Sequence, residues 1–171
     1  HDAFRSLAGL LTHVPHADGL HVVGRVAVSG RASANVSDVR GKPVCAVSIA
    51  PGDHPAIVAH ELGHTLEFHS PKVLELCRSF LAHRCGDEPF AKLAEKFPGM
   101  GYRDDEYGRA DDFAKAFGPK AAHYVGKRYE NGTEVLSMGL EQMLRDPAGF
   151  HRKDPEYAAF VVHLLSMPKA E

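Results

Sequence analysis

The stretch PGDHPAIVAHELGHTLEFHS, residues 51–70, decides how the rest of the chain is read. Pro51 and Gly52 interrupt whatever precedes them, Asp53 is a natural N-cap, and Pro55 suits a first helical turn. Apolar residues then recur at helical rather than alternating spacing, which predicts a helix over residues 55–68. Within it lies His60-Glu61-Leu62-Gly63-His64. Positions four apart on an α-helix sit about 40° from each other round the axis, so both imidazoles leave one face and can close on a single ion. Glu61 is one step round, where a carboxylate takes a proton from water at the ion's open position without binding the ion itself. Gly63, a poor helix former, is expected to permit close approach of another backbone.

Toward the N-terminus, residues 20–30 (LHVVGRVAVSG) and 43–50 (PVCAVSIA) are valine-rich runs of strand length. Gly30, Asn35, Ser37, Asp38 and Gly41 between them supply turn chemistry, so two strands of a small sheet are predicted, the second leading into the helix. Toward the C-terminus, VLELCRSFLAHRC after Pro71 predicts a second helix and residues 89–97 (PFAKLAEKF) a short third. Residues 98–113 are polar and rich in Gly and Asp, and read as irregular. Helical patterning returns from Ala110 and breaks at Glu130-Asn131-Gly132. It resumes in TEVLSMGLEQMLRD, with Thr133 as cap and Pro147 as terminator, and again in PEYAAFVVHLLSM after Asp154. Leu136, Leu140 and Leu144, and Phe160, Leu164 and Leu165, repeat at core spacing. With no internal repeat, the expectation is one α+β domain over residues 1–171, strand-rich over 1–50 and helical over 55–171.

Composition narrows the function. The chain has 171 residues, 44% hydrophobic and 25% charged, the usage of a folded domain. Twenty Lys and Arg against 22 Asp and Glu leave no basic surplus to neutralise phosphates, so nucleic acid is not expected as a partner. No run approaches the roughly 20 apolar residues that cross a bilayer, so no membrane partner is expected either. The opening HDAFRSLAGLLTHVPH carries Asp and His where a signal peptide has a basic leader, and His1 in place of Met predicts a processed form or an excised domain of a longer protein. Localisation stays open. Cys45, Cys77 and Cys85, odd in number and without CxxC spacing, fit a reduced interior or one bridge plus a spare. The anomaly is histidine, with 12 residues.

A catalytic zinc takes three protein ligands and keeps a fourth position for water. The pattern HExxHxxGxxH would need Gly at 67 and His at 70, where this chain has Glu67 and Ser70. His69, five residues past His64, points away from the pair and reads as a cap or surface residue. The segment Thr133-Glu134-Val135-Leu136-Ser137-Met138-Gly139 resembles the gluzincin class of metallopeptidases, whose third ligand is a Glu in the pattern Glu-x-x-Ser-Asp. That resemblance implies Glu134 as third ligand, with Ser137 also matching. Met138 stands where those enzymes carry an Asp that orients a zinc-bound His. Glu141, seven residues past Glu134 and on about the same face, either supplies that carboxylate or is itself the ligand.

Residues 124–143 (YVGKRYENGTEVLSMGLEQM), with DPAGF and DPEYAAF after them, are similar to metallopeptidase-type domains of phage structural proteins and of toxin or effector-like bacterial proteins. The resemblance implies a zincin-like fold and a zinc-dependent peptidase, and names no substrate. A rival lies in GYRDDEYG, residues 101–108, which is close to the GTxDxxYG signature of the aspzincin class and makes Asp104 a further candidate ligand. Tyr102 replaces the Thr of that signature, and a solvated acidic turn is the other reading. A tetrahedral intermediate also needs an oxyanion stabiliser. Tyr129 and Tyr124 are the candidates, then His123. Zincin-like folds pair substrate with an edge strand, and by position that role falls to residues 43–50. Lys127-Arg128 reads as a solvated charged face.

The expectation is therefore a zinc endopeptidase: Zn2+ held by His60, His64 and Glu134, Glu61 as general base, and a protein or peptide as substrate. The alternatives are a zinc-stabilised assembly module without turnover, and a zinc hydrolase of a non-peptide amide. An intact Glu61 argues against the former, because a purely structural site has no use for a carboxylate beside an open position.

Overall fold

The computed structural model describes residues 14, 17, 19–26, 32–39, 42–110 and 114–167. Three strands form the N-terminal sheet: β1 (His21–Val26), β2 (Ser33–Val39) and β3 (Lys42–Ile49). Their order is β1-β3-β2, with β1 parallel and β2 antiparallel to β3. Two expectations are corrected by this sheet. Asn35, Ser37 and Asp38 belong to a strand, not a turn, and residues 43–50 form the centre of the sheet rather than its edge. The reason is burial: Cys45, Ala46 and Val47 are covered on β3, whereas β1 and β2 are largely exposed, and a continuous apolar strand belongs in the middle. Residues 27–30 of the first expected strand, Gly41 and the opening residues 1–13 lie outside the described residues.

The decisive stretch forms α1 (Pro55–His69), followed at once by α2 (Pro71–Cys85). Ser70 serves both, its N–H closing on Leu66 O and its hydroxyl accepting from Val73 N. The N-cap of α1 is His54 rather than Asp53: His54 Nδ1 accepts from Ala56 N at 3.1 Å, while Asp53 accepts from Ala50 N at 2.7 Å and closes the turn from β3. The expected helix over 89–97 contributes one turn. Ala91–Lys92 (β4) pairs instead with Tyr107–Gly108 (β5), and α3 (Leu93–Lys96) follows β4. Then come α4 (Ala114–Phe117), α5 (Pro119–Val125), α6 (Val135–Arg145), α7 (Pro147–Lys153) and α8 (Pro155–Ser166). Two Asp-Pro corners separate the last three, Asp146 accepting from Gly149 N and Asp154 from Tyr157 N. Apolar spacing alone does not predict α7, which is too short to carry a periodic stripe.

One hydrophobic cluster runs from Val47 of the sheet through Val58, Leu62 and Leu66 of α1 to Leu136 of α6 and Val161 of α8. Burying each large aliphatic side chain contributes about 1.5–3 kcal/mol. Leu144, expected in this core, is 44% exposed because the last turn of α6 runs past it. The contact that fixes the site is made by backbone. A Cβ on Gly63 would lie 2.7 Å from Ser137 Cα, so α1 and α6 touch there as the glycine suggested. On the far side of α6, the Tyr157 hydroxyl donates to the Val135 carbonyl and latches α8 to its first turn. Arg84 of α2 grips Asp154 through two hydrogen bonds of 2.6 and 3.0 Å, both side chains buried. Cys45, Cys77 and Cys85 are buried and form no disulfide. Among the described residues no helix is long and apolar enough to cross a membrane.

Candidate metal centre

Helices α1 and α6 run antiparallel, which sets residue 60 against 141, 63 against 137 and 67 against 133. The consequence is a convergence of three side chains. His60 Nε2 and His64 Nε2 each lie 3.3 Å from the same oxygen, Oε2 of Glu134. Among the described residues, His60, His64 and Glu134 form the group of ligand atoms, all within 4.8 Å of one another, that could hold a metal ion. Ligands about 2.0–2.1 Å from a tetrahedral ion stand about 3.4 Å apart, so each of the two His–Glu134 separations matches one edge of a coordination tetrahedron.

Glu134 stands at the N-cap position of α6, not inside the helix, and Thr133 Oγ1 accepts from Val135 N one residue earlier than a regular cap would. Both of its oxygens are restrained. The Tyr129 hydroxyl donates to Oε1 at 2.6 Å and the Ser137 hydroxyl to Oε2 at 2.9 Å. Burial alone would raise the Glu134 carboxyl, but its hydrogen bonds to the two imidazoles and their charge hold it well below the usual range. Burial likewise lowers His60, and hydrogen bonds to Glu134 and Glu141 more than reverse this, pushing it up to about 9. Burial and the Glu134 charge raise the Tyr129 phenol, so it remains a donor.

Glu141 Oε2 lies 3.2 Å from His60 Nδ1 and Glu141 Oε1 accepts from Arg145 at 2.8 Å, so Glu141 orients the histidine from behind and is not among the converging ligand atoms. Asp104 is an exposed turn residue outside the cluster. His123 is buried elsewhere, its Nδ1 on the Pro119 carbonyl and its ring against Phe97. Tyr124 stacks 6.4 Å from His60, and Tyr129 faces His64 at 6.5 Å. His60, His64, Glu134, Glu141, Tyr124 and Tyr129 border a cleft of about 800 Å³, with Glu61, Lys127 and the start of β2 at Ser33 and Ala34.

Two residues play parts their sequence context hid. Lys127 is not on a solvated face: it is 7% exposed, ion-paired with Glu106, and its Nζ lies 4.7 Å over the Tyr129 ring. The bridge between Gly108 and Lys127 and the bond from Arg128 N to Tyr107 O draw it inward, leaving only Arg128 exposed. Glu67 is 1% exposed and reaches across to the start of α6, accepting from Thr133 N at 2.6 Å, Thr133 Oγ1 at 2.8 Å and Leu136 N at 3.4 Å. It satisfies donors that the helix start would otherwise leave unpaired. The signal for it was present: residues 60, 64 and 67 share one helical stripe.

No protein-family model matches the chain, and no curated protein and no solved structure matches it.

Proposed function

We propose that this protein is a zinc-dependent endopeptidase of the zincin type. The observation that carries the reading is the meeting of His60 Nε2 and His64 Nε2 on one Glu134 oxygen, at 3.3 Å each, in an open cleft that also holds Glu61. Two imidazoles and a carboxylate suit zinc, and three protein ligands are the number a catalytic site uses. When bound, zinc supplies a Lewis acid that polarises a carbonyl and brings a water's pKa to about 7.

The chain's own groups divide the remaining work. Glu141 accepts the His60 Nδ1 proton, which leaves the Nε2 lone pair directed at the ligand cluster. The Tyr129 and Ser137 hydroxyls keep the Glu134 carboxylate from rotating. Glu61 takes the proton released as water attacks the peptide carbonyl, then delivers it to the departing amine. Tyr124 serves the oxyanion, because the Tyr129 hydroxyl is engaged by Glu134. The outer edge of β2, whose first residues border the cleft, takes the place assigned from sequence to residues 43–50 in pairing with extended substrate.

Zinc content and cleavage of a peptide library, measured together, test the reading. Glu61→Gln is expected to keep zinc and to lose about 10²–10⁴-fold in turnover. Glu134→Ala is expected to lose both metal and cleavage. Turnover by Glu61→Gln equal to that of the parent would overturn the assignment.

A further inference from the structure

The cleft does not end at the ligand cluster. A second hollow of about 480 Å³ shares Ala34, Phe68 and Asn131 with it, and adds Val36, Pro71 and Leu74 together with the polar Asn35 and Glu67. Phe68 is the hinge between the two, stacked on His64 at 6.1 Å on one side and 37% exposed on the other. Arg78 of α2 donates to the Glu130 carbonyl at 2.6 Å, holding α2 against the loop that carries Asn131 and so fixing the far wall.

Val36 needs an explanation. In the sheet register it stands opposite Cys45, and Ala34 opposite Val47, so Ala34 and Val36 share the sheet face whose β3 residues are buried against α1. Val36 is nevertheless 47% exposed. It overhangs the hollow at the end of α1, where Phe68 is also uncovered, and among the described residues β2 is the outermost strand on that side. An apolar residue on an inward-facing position, left open beside a second exposed apolar residue, marks a place built for a visiting side chain.

We propose that this hollow is a specificity subsite for a large aliphatic or aromatic side chain of an extended polypeptide. The inference rests on the peptidase reading for its context, and on the β2 edge for its register. Ala34 borders both hollows and Val36 only the second. A chain paired along β2 places same-face side chains about 6.6–6.8 Å apart, so the recognised side chain lies two residues from the one that faces Ala34 above the ligand cluster.

The test uses fluorescent octapeptide pools, each with one fixed residue at one position, and the zinc-loaded Glu61→Gln protein, which retains substrate without cutting it. Pools with Leu, Ile or Phe at one position are expected to bind at least tenfold more tightly than pools with Asp there. Val36→Asp and Leu74→Asp, each in the same background, are expected to abolish that preference with zinc content unchanged, while Val162→Asp on the exposed face of α8 preserves it. A preference that survives both groove substitutions, or its absence from the Glu61→Gln protein, overturns the subsite even if the parent cleaves peptides. A preference lost as expected, with a parent that cleaves no pool, upholds the subsite and overturns the peptidase reading instead.

Discussion

Two regions of the α1–α6 interface each bury a carboxylate to 1% exposure, and the protein treats the two in opposite ways. Glu134 faces two imidazoles and is held well below the carboxylate range, so its charge is secured. Glu67 hydrogen-bonds a hydroxyl and two backbone N–H groups, and burial outweighs those donors and the more distant His64 charge and pushes its carboxyl up. The lesson concerns what answers the desolvation. The buried acid that hydrogen-bonds two imidazoles keeps its charge; the one that hydrogen-bonds neutral donors is a strut between α1 and the start of α6. Cys77 lies against the strut, not the ligands, and burial together with the Glu67 charge raises its thiol.

The sharpest way to break this contrast is to remove the strut. Glu67→Ala leaves Thr133 N–H, Thr133 Oγ1 and Leu136 N–H without their acceptor and is expected to cost on the order of 3 kcal/mol, read by urea denaturation of the metal-free protein. Next comes the backbone contact between the two carboxylates. Gly63→Ala pushes a methyl into Ser137 Cα and is expected to cost roughly 1–3 kcal/mol while loosening zinc binding, because the ligand-bearing segments separate. Wild-type stability and zinc affinity in that variant would show that the interface yields locally.

On the working side, Glu141→Gln is expected to weaken zinc binding about 10- to 100-fold, measured by competition with a chelating dye. Tyr129→Phe separates two roles. If its hydroxyl restrains Glu134, the variant loses zinc affinity; a fall in turnover at full zinc occupancy would return the oxyanion role to Tyr129.

The smallest effect is on the cleft flank. The carboxyl of Glu106 is nudged up by burial but lowered overall by Lys127. Its stabilising contribution is therefore complete above the unfolded value of about 4.3 and declines as pH falls through the lower folded value. Stability curves of the parent and Lys127→Met are expected to differ above that range and to converge in acid.

That His60 and His64 share one face was legible because helix geometry is local. His60, Glu61, His64 and Gly63 follow from spacing on one element, whereas Glu134 came from the resemblance to the gluzincin pattern and Glu141 from its seven-residue spacing after it. What was hidden depends on pairings between distant segments. The stripe of His60 and His64 includes Glu67 but does not say what it meets until the start of α6 presents its donors, and Lys127 reads as a solvated charge until β5 brings Glu106 beside it. Asn35, Ser37 and Asp38 prefer turns in isolation, yet an outer strand tolerates them because β3 supplies the backbone partners and Asn35 and Ser37 stay exposed. The same difficulty misplaced the sheet edge, since strand order is a property of the assembled sheet.

The latch from Tyr157 to Val135 gives the final helix authority over chemistry it never touches. A polypeptide severed before Pro155 would retain every coordinating side chain, yet the turn presenting Glu134 would have lost its brace.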